Sequence, residues 1–261
     1  MMDFLFQTVL PFTISALVVI LITVIAEKYG TKVGGILGTL PSTIVVAFIF
    51  IVLNKDLSFA SESAAVIPAE LGINLVFLFM FTIFVRRSVY LAFFAAFFSW
   101  SILSFSLVYF DFKNIYLSIL IFVLLLFFIF FTLERIKKVQ SQVKVYVHYT
   151  PLKILFRGTL AGIIIALAVY LSNVGTVISG IFSVFPAILT STMIICYKEH
   201  GHAFASGMAK SMIFGLSSVA VYATGIHFLY PKIGFIYGSL IAYLLSIITT
   251  FTIFALRNRF D

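Results

Sequence analysis

The chain has 261 residues, 62% of them hydrophobic and only 10% charged. A soluble domain is roughly half apolar and a quarter charged, so this one lacks the polar surface to wet a globule, and a soluble enzyme is excluded. Disorder is excluded by the same apolar excess, which leaves an all-α integral membrane protein.

A helix needs roughly 20 apolar residues to cross the hydrocarbon layer. Charged and turn-rich points divide the chain into nine such stretches, near 7–26, 33–53, 58–85, 88–110, 115–133, 153–172, 176–197, 203–229 and 233–256. The first does not read as a cleavable signal: it has no basic leader, carries Asp3 at its start and runs straight into the second. With nine crossings, alternate loops share a side of the bilayer. One side then collects 14 of the 17 Lys and Arg residues and the other only Lys55, Lys113 and Lys232. Excess positive charge marks the cytoplasmic side. The expectation is a multi-pass protein of the plasma (inner) membrane, its N-terminus outside and its C-terminus cytoplasmic. The net charge of +8 follows from basic loops facing an anionic leaflet and calls for no nucleic acid.

The longest loop, about 134–152, opens Glu134-Arg135-Ile136-Lys137-Lys138 and alternates Val143, Val145 and Val147 with Lys144, Tyr146 and His148. It reads as an interfacial linker between two halves. Those halves match at an offset of 145 residues. Gly30-Thr31 aligns with Gly175-Thr176, Gly35-Ile36 with Gly180-Ile181, Pro41 with Pro186, and Phe59-Ala60-Ser61 with Phe204-Ala205-Ser206; Ile49 and Ala64 match Ile194 and Ala209. Apolar bias does not align Gly, Pro and a Phe-Ala-Ser triplet together, so the pattern reads as a duplication. Five crossings separate the two starts, so the copies are expected to be inverted. The predicted architecture is one transmembrane domain, 1–261, of about nine helices. Repeat one (1–110) and repeat two (153–261) are each of four helices. A linking helix and cytoplasmic loop (111–152) join them.

The repeated motif is Gly34-Gly35-Ile36-Leu37-Gly38-Thr39-Leu40-Pro41-Ser42-Thr43, with Ser179-Gly180-Ile181-Phe182-Ser183-Val184-Phe185-Pro186-Ala187 as its counterpart. Proline lacks an N–H and breaks a helix; the glycines before it admit close approach. Freed backbone groups at membrane depth are tolerated only inside protein or beside a watery cavity, and paired Gly/Pro interruptions point to a transport site. Candidate substrate-binding or gating residues are therefore Gly35, Thr39, Pro41, Ser42, Thr43, Gly180, Ser183, Pro186 and Thr190. Packing of small residues is the competing reading for the glycines. Hydroxyls at Ser191 and Thr192 extend the polar cluster.

Few charges lie inside the stretches. Glu70, with Asn74 one turn on at i+4 and Pro68 just before it, is a functional candidate because an ionisable group at that depth is costly. A carboxyl there suits a group that takes up and releases a proton. Glu62, two turns outward and nearer the mouth, reads as a solvated or gating residue. Lys210 is the second candidate: it either snorkels to the cytoplasmic interface or turns inward to pair with Glu70 or attract an anion. Arg157 lies close enough to a helix end to snorkel. Ser99, Ser101, Ser104 and Ser106 make the fourth stretch polar around Trp100, and serines there usually bond their own backbone or a neighbour.

The single cysteine, Cys196, leaves no internal disulfide or Cys-based metal site. His148, His200, His202 and His227 lack metal-ligand spacing, and no catalytic motif or phosphate loop occurs. Neither enzyme activity nor a cofactor or metal is expected. The segment Ala26-Glu27-Lys28-Tyr29-Gly30-Thr31-Lys32-Val33-Gly34-Gly35 through Leu40-Pro41-Ser42-Thr43 resembles an uncharacterised family of prokaryotic multi-pass membrane proteins that open with A-E-x-x-G-x-K-x-G-G…L-P-S-T; the resemblance implies no substrate.

The expected function is secondary transport of a small polar or anionic solute, coupled to protons, at the repeat interface. Glu70, Asn74 and Lys210 are the coupling residues, the lipid bilayer and a small molecule or ion the partners, and a homodimer is compatible. A lipid or polyprenyl-carrier flippase, a channel and a non-transporting assembly protein are the alternatives.

Overall fold

The computed structural model describes residues 4–28, 40–136 and 150–260, and among these every regular element is a helix. A π-helical turn, Leu5–Val9, leads into α1 (Leu10–Lys28). There follow α2 (Ser42–Asn54), α3 (Leu57–Ala65), α4 (Ile67–Phe84), α5 (Val89–Tyr109) and α6 (Ile115–Phe131), which ends in a second π-helical turn at Thr132–Ile136. Next are α7 (Pro151–Leu171) and α8 (Thr176–Ser183). The remaining helical stretch, Ala187–Phe260, is interrupted at Gly201 (φ 76°, ψ −171°) and Gly234 (φ 77°, ψ −180°). Only glycine adopts that backbone region readily. The two breaks divide the stretch into α9 (187–200), α10 (202–233) and α11 (235–260).

Local chemistry fixes several starts. Helix ends leave N–H groups without partners, and short polar side chains take them up. Asp56 accepts from Phe59 N at 2.7 Å to begin α3, Asn114 accepts from Tyr116 N and Leu117 N to begin α6, and Thr150 caps α7. The stretch expected at 58–85 is two helices, α3 and α4, separated at Val66, with Pro68 in the first turn of α4 where a missing N–H costs nothing. The Ala69 N–H of that turn is met from outside: Ser118 Oγ of α6 accepts it at 2.7 Å.

Six helical stretches among the described residues are long and apolar enough to cross a bilayer, the last running Thr176–Ile253. α4 is the most buried of the separate helices, packed by α5, α6 and the C-terminal stretch. Phe77 and Phe81 on α4 meet Phe97 and Phe93 on α5 with ring centroids 5.0 Å apart in both pairs. Outward, α5 and α6 expose Phe94, Phe98, Phe105, Leu124, Phe127 and Phe131. Exposed apolar side chains of this kind are compatible with a lipid-facing surface.

α1 and α7 form an especially close pair. Gly158 and Gly162, a G-x-x-x-G spacing on α7, let the backbones meet. A Cβ at Gly162 would stand 2.8 Å from the Phe12 carbonyl oxygen, and one at Gly158 would stand 2.7 Å from Ile20 Cγ1.

Interruptions recur along the chain. α2 starts at Ser42 and α9 at residue 187, 145 later; Asp56 and Gly201, which separate α2 from α3 and α9 from α10, are also 145 apart.

Candidate functional site

Pro41 and Pro186 stand immediately before α2 and α9, and both sit in the same local turn. Ser42 N donates to Leu40 O at 2.8 Å, and Ala187 N donates to Phe185 O at 2.7 Å. These i to i+2 bonds are γ-turns centred on the prolines; Pro41, at φ −77° and ψ 47°, lies near the inverse γ-turn minimum, which the proline ring already favours by holding φ near −65°. Each proline carbonyl then accepts the first helical bond, from Val45 N at 3.1 Å and from Thr190 N at 2.8 Å.

The second turn frees the carbonyl of Val184, since Ile188 can no longer reach it. Asn74 fills the role: its Nδ2 donates to Val184 O at 2.8 Å. Asn74 is 1% exposed, and its Oδ1 has no hydrogen-bond partner.

Between the two turns lies a cavity of about 110 Å³. Its wall is built from residues paired at the 145-residue offset: Pro41 with Pro186, Leu40 with Phe185, Thr43 with Ile188, Ile44 with Leu189, Leu71 with Leu216, and Asn74 with Val219. Four elements supply those pairs, namely the two turns with α2 and α9, and the facing parts of α4 and α10. Ala161, Ile164 and Ile165 of α7 close one side, with Ser183 at the end of α8. The wall is mostly apolar. Its polar side chains are Thr43, Asn74 and Ser183, and no charged side chain lines it among the described residues. Ser183 Oγ donates to Gly180 O at 2.6 Å.

The expected site residues thus divide. Pro41, Thr43, Ser183, Pro186 and Asn74 share the cavity wall. Ser42 and Thr190 flank it without lining it, and Thr190 Oγ1 donates to Pro186 O at 2.7 Å. Gly180 packs: a Cβ there would stand 2.2 Å from Ser63 O on α3, so the close-approach reading describes it. Gly35 and Thr39, like Gly34 and Gly38, lie outside the described residues.

Glu70 is fully buried but faces α5 rather than the cavity. Ser104 Oγ donates to both carboxyl oxygens, at 3.0 and 2.9 Å. Trp100, one turn before Ser104, is a second polar neighbour of the carboxyl, although its indole N–H makes no bond of hydrogen-bond geometry. The Trp100 ring meets Phe185 edge-on at 4.8 Å between centroids, so the carboxyl and the cavity are joined through one aromatic contact. The spacing of four residues that puts Glu70 and Asn74 on one side of α4 still leaves them about 40° apart, enough to give them different neighbours in a helix packed on several faces. Ser99 and Ser106 bond their own backbone at Ala96 O and Leu103 O; Ser104 alone of the α5 cluster reaches Glu70. The cluster was visible in the sequence, but which of its members turns inward was not.

Lys210 is 5% exposed and pairs with Glu134, beyond the end of α6, at 2.5 Å. That contact is an ion pair of a buried lysine with Glu134; the partner of Glu70 is Ser104. Arg157 donates to Thr192 Oγ1 at 2.8 Å. Glu62 is exposed. Beyond the cavity, two polar clusters close the ends of α2 and α9. At Asn54, Oδ1 accepts from Gln7 Nε2 at 2.8 Å and Nδ2 donates to Ser172 Oγ at 2.7 Å, while Asn173 Nδ2 donates to Gln7 Oε1 at 3.0 Å. At Glu199, 145 residues on from Asn54, the carboxylate forms an ion pair with Lys153 at the start of α7.

Comparison with known proteins gives one likeness. A family model described as a protein of unknown function (DUF3147) matches residues 8–115. That range covers α1 to α5 and ends where α6 begins. It fits an uncharacterised family over the first part of the chain. No curated protein and no solved structure matches.

Proposed function

We propose that the chain is a secondary transporter which moves a small solute through the cavity between the two proline turns. The carrying observation is the pairing of the wall, in which six pairs of residues stand 145 apart around one cavity. Two copies of one helical unit meeting across a pseudo-two-fold axis would generate such a wall, and many transporters bind solute at the interface of inverted repeats near the bilayer midplane. In this reading the chain crosses nine times. Its two inverted four-helix units flank α6, with the N-terminus outside and the C-terminus cytoplasmic. The family match over residues 8–115 coincides with the first unit, which supports treating that unit as a module.

Depth supports the same reading. At roughly 1.5 Å per residue, α2 carries the chain about 18 Å from its proline turn to Asn54, and residues 187–199 carry it an equal distance to Glu199. If the copies are inverted these paths run in opposite directions, so the cavity lies mid-membrane, within a span close to the ~30 Å hydrocarbon thickness. The Gln7–Asn54–Ser172 cluster and the Lys153–Glu199 pair then serve as outer and inner gates.

Proton coupling enters through Glu70. A proton gained or lost there changes what Ser104 and Trp100 hold, and Trp100 bears on Phe185 in the cavity wall. The test is solute flux into proteoliposomes, with and without an imposed pH gradient, for the native chain and Glu70→Gln. Flux by the native chain that follows the gradient, and flux by the variant that ignores it, are expected. Equal response of both proteins to the gradient would remove the coupling role; absence of protein-dependent flux for solutes that enter the cavity would remove transport.

A further inference from the structure

Building on the transport reading, we infer that Arg157 is the charge-binding residue of the path and that the solute is a small monovalent carboxylate, its carboxylate on the guanidinium and its carbon end in the cavity. The geometry is a ladder between α7 and α9. Lys153, Arg157, Ala161 and Ile165 follow one another at intervals of four on α7, so they share a face. Ile188, Thr192 and Glu199 on α9 lie four and seven residues apart and do the same. Three rungs join the two faces. Ala161 and Ile188 stand on the cavity wall. One turn on, about 6 Å along the helix, Arg157 Nη1 donates to Thr192 Oγ1 at 2.8 Å. Beyond it, Lys153 pairs with Glu199. Arg157 thus occupies the step between the cavity and the inner gate. Its Nε is buried, so the charge is held at that depth rather than drawn out along the snorkelling route.

The outer half of the path is built differently. At the positions 145 residues before Lys153, Arg157, Thr192 and Glu199 stand Thr8, Phe12, Ala47 and Asn54. Packing gives one copy no reason to hold a cation where the other holds a phenyl ring. A charge among packed helices is costly, and inside a membrane it marks a solute or ion pathway.

A guanidinium presents its N–H donors in a planar fork that matches the two oxygens of a carboxylate, and that paired bond is stronger than a bond to a neutral hydroxyl. Binding is then an exchange of acceptors, in which Arg157 leaves Thr192 for the solute. Nothing on the described wall opposes the anion: no carboxylate lines it, and Thr43 carries a hydroxyl that can donate. The other end of the solute meets Ala161, Ile164, Ile188 and Leu189, which suit an alkyl tail and not a second charge. Size sets the limit. An apolar protein cavity of about 150 Å³ holds a benzene molecule, so by the same measure one of about 110 Å³ holds a tail of roughly four heavy atoms.

Propionate is the probe, with the full chain in lipid nanodiscs, empty nanodiscs as the blank and ionic strength held constant with a bulky sulfonate. Saturation-transfer NMR follows binding. The native chain is expected to bind propionate saturably and propionamide, its neutral near-isostere, about tenfold more weakly or worse. Acetate displaces propionate; chloride and phosphate at the same concentration do not. Arg157→Gln abolishes propionate binding, and Arg157→Lys, which keeps the charge and loses the fork, weakens it about tenfold. Thr192→Val separates binding from packing: it removes the acceptor with which the solute competes, so propionate binds several-fold tighter while the folded state loses stability. Propionamide bound as tightly as propionate, displacement by chloride or phosphate as effective as by acetate, native affinity in Arg157→Gln, an affinity that Thr192→Val leaves unchanged or lowers, or no saturable binding to the native chain overturns the inference. The ligand series on the native chain decides even if a variant does not fold. Because the readout is binding, propionate that binds in this pattern without protein-dependent flux refutes transport and leaves the site standing. Protein-dependent flux of a neutral solute, unchanged in Arg157→Gln, refutes the site and leaves transport.

Discussion

Replacing Gly180 by alanine tests the packing that carries α8 to the cavity. The added methyl would stand 2.2 Å from Ser63 O and 2.7 Å from Val66 Cγ1. An ordinary carbon–oxygen contact is nearer 3.4 Å, so α8 and α3 must part by roughly 1 Å, and the obstructing atom is backbone, which cannot rotate aside as a side chain would. Overpacking of a close-packed interior costs about 1–3 kcal/mol, and an obstruction made of backbone belongs at the upper end. A loss near 3 kcal/mol corresponds to a fall of roughly 6–12 °C in Tm for a chain of this size. The assay is thermal unfolding of purified protein in detergent, followed by circular dichroism. Gly175→Ala is the control, because a Cβ there meets nothing within 4 Å and its backbone is extended rather than left-handed. A Gly180→Ala protein as stable as the native chain, or an equal fall in Gly175→Ala, would refute the reasoning.

Three further outcomes follow from the same geometry. Gly162→Leu should separate α1 from α7 and cost at least as much as Gly180→Ala, because the Phe12 carbonyl lies 2.8 Å from the new Cβ; unfolding in the same detergent measures it. Ser104→Ala withdraws the donor shared by both Glu70 oxygens, a loss of about 1.5–3 kcal/mol if the carboxyl is charged and about 1 kcal/mol if it is neutral. A double-mutant cycle with Glu70→Gln distinguishes the two, and strict additivity would mean the bond contributes nothing. Gly201→Ala forces a Cβ into a region with φ 76° and should destabilise by about 1–3 kcal/mol through backbone strain alone, since no atom lies within 4 Å of the new methyl; an unchanged Tm would show that the α9–α10 break relaxes freely.

Much of the fold could be read from the sequence because its determinants are local. The capping side chains Asp56, Asn114 and Thr150 sit beside the helices they start, and Pro41 and Pro186 interrupt by covalent structure whatever surrounds them. The burial of Glu70 was legible from the long apolar flanks on either side. Its partner was not, because Ser104 reaches it across a helix pair, and which serine of α5 turns inward is settled by the rotation of one helix against another. The same rotation separates Glu70 from Asn74, whose spacing suggested a shared face. Lys210 shows the opposite case: a long flexible stem extends the choice of partner, and Glu134 lies within its reach. Gly158 and Gly162 carried a readable G-x-x-x-G signal that the sequence reading did not use, whereas the role of Val184 could not be read at all, since a backbone carbonyl has no letter in the sequence.

The central claim is that the cavity opens in turn to the two sides of the membrane. Thr43 lines it, and the one native cysteine, Cys196, is buried. The direct measurement is labelling of Thr43→Cys in a Cys196→Ser background by a membrane-impermeant thiol reagent, applied separately to each face of oriented proteoliposomes. The account predicts labelling from both faces. Labelling from one face only, at every pH, would contradict it.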